Sequence, residues 1–130
     1  MSGSVGKLQR VSLREVWRHE ATDFTRWLRE NVEVLGEVVD LALSQAESER
    51  QVGDFNCDIV AEDDSGAVVV IENQLERSDH DHLGKLLTYL VMVGATKGVW
   101  VVSDPRPEHI LAITWLKEST SAEFYLVKGS

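Results

Sequence analysis

Apolar residues recur at helical spacing near the start of the chain. Phe24, Trp27, Leu28, Val32 and Leu35 fall on one stripe, Thr22 or Asp23 can cap it and Gly36 is a natural stop, which predicts a helix from Asp23 to Leu35. Val38 to about Arg50 reads as a first strand, with helix as the alternative. Phe55 to Glu62 alternates as a second strand, and Asp63-Asp64-Ser65-Gly66 is a turn. Ala67 to Gln74 is β-branched and apolar on both faces until it reaches Glu72, the mark of a central, buried strand. Ser78 or Asp79 caps a second helix with the stripe Leu83, Leu86, Leu87 and Leu90, ended by Gly94. Val99 to Val102 is a further buried strand. Pro107 opens a third helix through Lys117, with Ile110, Leu111, Ile113, Thr114 and Trp115 mostly inward, and Glu123 to Val127 is a short last strand. The order αβββαβαβ predicts an α/β fold with a central mixed sheet flanked by helices.

Composition narrows the class. A chain of 130 residues is enough for one domain and too short for two comfortable ones, so residues 1–130 read as a single domain. Hydrophobic residues make up 43% and charged residues 27%, as in ordinary globular proteins. No apolar run approaches the roughly 20 residues that span a bilayer, and the first residues lack the apolar stretch of a signal peptide. Cys57 is the single cysteine, which excludes an internal disulfide; a reducing, cytoplasmic setting without a membrane is expected. The formal net charge of -9 counts against a broad basic grip on nucleic acid and leaves room only for a narrow basic groove.

The chemistry concentrates at the end of the central strand. Glu72 and Gln74 share a face about 6.6 Å apart along the strand, with Asn73 on the other face. An acid and an amide there are costly to bury unless they are satisfied. If Glu62 pairs with Val68 around a loop of residues 63 to 67, the same register sets Asp58 opposite Glu72, with β-carbons about 5 Å apart. Two ionised carboxylates about 4 Å apart repel by roughly 4 kcal/mol at an effective dielectric of about 20. A fold keeps such a pair by protonating one member or by placing a cation between them, and oxygen ligands suit Mg²⁺ or Mn²⁺. Gln74 would then place a water or a phosphate. The plain alternative is two solvated acids at a sheet end.

The next helix adds a polar line beside its leucine stripe: His82, Lys85 and Tyr89. Lys85 and Tyr89 can meet a phosphate or base from the edge of the site. Arg50, Arg77, His82 and Lys85, with Arg26 and Arg29, are candidate nucleic-acid contacts, each of which also reads as solubilising surface charge. His80 and His82 stand at a spacing too short to chelate zinc from one helix, so capping and hydrogen bonding are expected of them. Cys57 falls on the face opposite Asp58 and reads as core, and the four tryptophans, Trp17, Trp27, Trp100 and Trp115, fit core or helix-packing positions.

These residues resemble the PD-(D/E)XK nuclease superfamily, whose core sets an acid late in its second strand and an E-x-K in its third. Here the two positions read Asp58 and Glu72-Asn73-Gln74. The stretch VGDFNCDIVAEDDSGAVVVIENQLERSDHDHLGKLLTYL also resembles an uncharacterised bacterial nuclease-like family with ENQLE-x-(S/T)DH-x-HLGQLLTY, and WRHEATDFTRWLREN resembles that family's WxxEAxDFTxWLxEN. The resemblance covers nearly the whole chain. It implies a restriction-endonuclease-like core in which Asp58, Glu72 and the Asn73 backbone carbonyl hold Mg²⁺ or Mn²⁺, with Glu37 or Glu20 completing the set. Lys85 to Tyr89 matches a Q-x-x-x-Y motif with lysine for glutamine. Gln74 takes the usual lysine position and cannot carry a proton or a positive charge; Lys85 is expected to restore that charge. Relatives continue past the last strand, so the chain reads as a fragment or as a minimal version that dimerises.

The leading expectation is therefore a metal-dependent nuclease that hydrolyses phosphodiester bonds in DNA, in defence, repair or mobile-element processing. The alternative is a nuclease-fold module without turnover that binds nucleic acid or a protein partner. Net charge and Gln74 favour that alternative.

Overall fold

The computed structural model describes residues 7–11, 21–52 and 55–129. In chain order the elements are β1 (Lys7–Val11), α1 (Ala21–Glu30), α2 (Val32–Val39), β2 (Ser44–Val52), β3 (Phe55–Glu62), β4 (Val68–Arg77), α3 (His80–Met92), β5 (Lys97–Asp104), α4 (Pro107–Ser119) and β6 (Glu123–Gly129). The strands form one mixed sheet in the order β1-β6-β5-β4-β3-β2. β2, β3 and β4 pair antiparallel, whereas β4-β5, β5-β6 and β6-β1 pair parallel. β4 is thus the seam between the two halves. α3 and α4 are the crossovers of two consecutive parallel connections, and the common hand of such connections places both helices on one face.

Strand alternation splits the core in two. Val69, Ile71, Val99, Val101 and Val127 pack with Phe24, Leu28, Val32 and Leu35 of α1 and α2. Val70, Trp100, Val102 and Leu126 pack with Leu86, Tyr89, Leu90 and Ile113 of α3 and α4. β4 and β5 are apolar on both faces because both are covered, as the sequence pattern predicts.

The β3–β4 hairpin has the expected register: Glu62 pairs with Val68, Ala61 with Val69, Val60 with Val70 and Ile59 with Ile71. Its turn is pinned from within. The Asp63 carboxylate accepts from Ser65 N (2.9 Å), Ser65 Oγ (2.6 Å) and Ala67 N (3.0 Å), and Lys97 Nζ lies 2.7 Å from it. These donors hold the Asp63 carboxyl far below the usual carboxylate range, Lys97 foremost. Gly66 takes φ +84°, the conformation that favours glycine.

Three expectations need correction. Val38 and Val39 are helical, and the strand expected from Val38 begins at Ser44, because Val32, Leu35 and Val39 continue a helical stripe into the core. Gly36 does not stop the helix. It lies where the helix backbone meets the next loop, and a β-carbon there would sit 2.4 Å from the Leu41 carbonyl oxygen. The stop falls at Asp40, in the left-handed conformation (φ 61°), with its N–H bonded to the Gly36 carbonyl. Finally, Leu111 and Trp115 are 70% and 64% exposed rather than inward. Each is two residues from buried Ile113, and about 200° of helical rotation turns both to solvent. The hydrophobic pattern does not predict β1, which adds a parallel edge strand against β6, with Lys7 opposite Tyr125. Trp17 lies outside the described residues.

Candidate active site

The site is built where β4 runs out of its antiparallel partner. Continuing the hairpin register by one residue brings Asp58 opposite Glu72, and Asp58 Oδ2 accepts a hydrogen bond from the Asn73 backbone N–H at 2.9 Å. Alternation along β4 turns Glu72 and Gln74 to the α3/α4 face and Asn73 to the α1 face, where its Nδ2 donates to Thr25 Oγ1 at 2.8 Å. All three strand-end residues are buried, Glu72 to 1% exposure.

Glu72 is the unsatisfied member. Its Oε1 has no hydrogen-bond partner among the described residues. Burial in a dry site, and then the negative charge of Asp58, push its carboxyl up to about 9; the Lys85 ammonium opposes the shift, while Asp81 and Asp79 add to it. In the metal-free protein Glu72 therefore holds a proton near neutral pH, one of the two ways in which a fold tolerates such a pair. The other is a cation. An unpartnered buried carboxyl oxygen beside a second carboxylate fits a divalent ion with oxygen ligands. The Asn73 N–H faces Asp58, and in an extended strand its carbonyl leaves on the same edge.

Gln74 occupies a different role from the one its position suggests. Its Nε2 donates to the Arg77 carbonyl at 2.8 Å, its Oε1 accepts from Trp100 Nε1 at 3.2 Å, and its amide also reaches the Asp79 carboxylate. Its hydrogen-bonding capacity is spent inside the protein. Gln74 thus ties the end of β4 to β5 and to the start of α3 and presents nothing to a ligand.

The polar line on α3 divides into three fates. His82 is tied to the helix cap: its N and its Nδ1 each lie 2.8 Å from Asp79 Oδ1. Tyr89 is core, at 2% exposure. Lys85 remains half-exposed, 3.7 Å from Asp81 Oδ2, and its charge reaches Glu72. Lys85, Tyr89, His80, Asp81, Gly84 and Thr88 line a hollow of about 250 Å³.

Other candidates fall elsewhere. Glu37 is exposed and lines a separate hollow with Asp64 of the β3–β4 turn, the opposite end of the hairpin from Asp58 and Glu72, so it does not complete this site. Glu20 lies outside the described residues. Arg77 is a surface residue, 3.6 Å from Asp104. The backbones of Arg50 and Cys57 pair across β2 and β3, and their side chains lie outside the described set.

Spacing along the chain does not reveal that Ser78, Trp100 and His109 come together. Ser78 Oγ is 2.6 Å from His109 Nδ1, and His109 Nε2 is 2.7 Å from His80 Nδ1. The rings of His80 and Trp100 meet that of His109 edge-on, at 4.8 Å and 5.6 Å. His109 lies in a helix far along the chain from Ser78, so no short-range pattern could join them. A histidine at a core position of α4 was the one available signal.

No protein family profile matches the sequence, and no curated protein matches it. Solved structures do. A repair endonuclease from Pyrococcus abyssi superposes with a TM-score of 0.64 at 14% identity, over 86% of this chain and 47% of its own. An EndoMS–dsDNA complex gives 0.60 at 17% identity, over 81% and 43%. EndoMS in its apo form gives 0.57 at 14% identity, over 86% and 47%. The chain therefore has the α/β fold of these endonucleases and spans less than half the length of each.

Proposed function

We propose that this chain is a metal-dependent nuclease domain of PD-(D/E)XK type that hydrolyses phosphodiester bonds in DNA. The observation that carries the reading is Glu72: a carboxyl 1% exposed, without a partner for Oε1, set against Asp58 at the seam of the sheet. Such a group is expensive for a purely structural strand end. The choice of DNA draws support from the likeness of the fold to a repair endonuclease and to an EndoMS–dsDNA complex.

Asp58, Glu72 and the Asn73 carbonyl would hold Mg²⁺ or Mn²⁺. Bound there, the ion would supply Lewis acidity that makes a water nucleophilic near neutral pH and offsets charge on the phosphate. The protein's own residues do the rest. Glu72 gives up its proton when the site is loaded, which links binding to pH. The Asn73 N–H holds Asp58 in place. Lys85, whose charge already reaches Glu72, meets the phosphate from the α3 side in place of the missing lysine. Gln74 positions β4 and Trp100 and touches no substrate.

The second reading, a recognition module without turnover, is favoured by the internal commitment of Gln74 and by the net charge of -9. Calorimetric titration of Mn²⁺ into wild type and Asp58→Ala, with plasmid and single-strand cleavage on the same samples, separates the two. The enzyme reading expects binding and cleavage, both lost in Asp58→Ala. Wild type that binds no Mn²⁺ would overturn it in favour of the recognition module.

A further inference from the structure

We infer that His80 is a phosphate-binding residue, held by Ser78 and His109 as a fixed Nε2–H donor toward a phosphodiester of a nucleic-acid strand. The identity of the ligand rests on the nuclease reading; the donor rests on geometry alone.

The hydrogen positions follow from one backbone group. Ser78 is buried, and its Oγ accepts from the Arg106 N–H at 2.8 Å. That N–H can only donate. The Ser78 hydroxyl needs an acceptor of its own, and among the described residues its remaining contact is His109 Nδ1 at 2.6 Å. His109 therefore accepts on Nδ1 and carries its proton on Nε2, which faces His80 Nδ1 at 2.7 Å. His80 in turn accepts on Nδ1, and its own proton sits on Nε2. A free imidazole samples both tautomers; here the partner of one nitrogen decides the state of the other.

The relay is built to stay neutral at its centre. His109 is 1% exposed, and burial foremost holds its pKa below the ordinary value. Arg106 works in the same direction, whereas Glu108 and Asp79 oppose it. A protonated His109 would also strand the buried Ser78 hydrogen without an acceptor, at the cost of an unmade hydrogen bond.

His80 lines the hollow beside Lys85, and its free ring nitrogen bears a hydrogen. A metal ion needs a bare nitrogen lone pair, so this arrangement selects an anion instead. Gly84 leaves open space in the same wall, with nothing within 4 Å of where its β-carbon would be. Asp81 also lines the hollow, 3.7 Å from the Lys85 ammonium. Its charge offsets that of Lys85, which suits a singly charged diester over a phosphate dianion.

The test needs neither metal nor cleavage. Long-range ¹⁵N–¹H correlation on metal-free wild type should find both His80 and His109 with the proton on Nε2. Adding a single-stranded oligonucleotide should move the His80 Nε2 resonance, and inorganic phosphate should move it less. His80→Ala should weaken oligonucleotide binding about tenfold, the loss expected when a hydrogen bond to a charged group is removed. His80→Gln, which keeps an N–H donor, should recover most of the affinity. Ser78→Ala should mix the His80 tautomers and cost about threefold. A His80 proton on Nδ1, unchanged oligonucleotide affinity in His80→Ala, or a response to inorganic phosphate alone would each overturn the inference. Wild type that neither binds Mn²⁺ nor cleaves would sink the nuclease reading and leave these readouts intact.

Discussion

If Glu72 is a dry carboxyl, replacing it with glutamine removes one specific pH dependence of stability. The folded state raises the Glu72 pKa from 4.5 to about 9, so it keeps a proton that the unfolded chain gives up. For an acid shifted upward, the stabilising contribution is whole below pH 4.5, falls as pH rises, and levels off above about 9. Within that window the slope is about 1.4 kcal/mol per pH unit. From about pH 6 to pH 8, metal-free wild type should lose about 3 kcal/mol relative to Glu72→Gln. His109 has the opposite sign: its lowered pKa costs stability as pH falls, and it is common to both proteins. The difference between the two profiles therefore isolates Glu72. Urea unfolding in EDTA at several pH values, followed by tryptophan fluorescence to which buried Trp100 contributes, supplies the profiles. The intercept is less informative, because glutamine brings an amide donor of its own into the pocket. Parallel profiles would refute the reasoning, since they would mean that Glu72 is ionised and solvated in the folded protein.

Three further outcomes are expected. Gln74→Ala leaves the Trp100 N–H and the Arg77 carbonyl without partners and opens space in the core, so the urea midpoint should report a loss of about 2–4 kcal/mol. Lys85→Ala should change stability by no more than about 0.5 kcal/mol and yet cost cleavage as severely as Gln74→Ala; a Lys85→Ala protein that cleaves like wild type would remove lysine from the site. Gly36→Ala drives a β-carbon to 2.4 Å from the Leu41 carbonyl oxygen, a backbone atom with little room to yield, so thermal unfolding should show a loss of about 3 kcal/mol.

Much of this architecture is written in local pattern. The strands from Phe55 onward, the helix capped by Asp79 and the crossover through α4 follow from alternation, β-branching and capping, because each is decided by neighbours a few residues away. The hairpin register is equally local. A turn of fixed length sets it, and it brings Asp58 and Glu72 together before any tertiary contact is considered. What spacing could not decide is which polar groups remain free. Gln74 and Glu72 look alike along the strand, two residues apart and on one face, yet Trp100 and the Arg77 carbonyl consume the amide while the acid keeps an unpartnered oxygen. The Ser78–His109–His80 relay likewise joins elements distant in sequence. The sequence by itself determined the elements from Phe55 onward, their order and the acid pair, because local sterics and periodicity govern those. The tertiary structure decided the dryness of Glu72, the neutrality of His109 and the duty of each polar side chain, because desolvation and hydrogen-bond satisfaction depend on what packs across the sheet rather than along the chain.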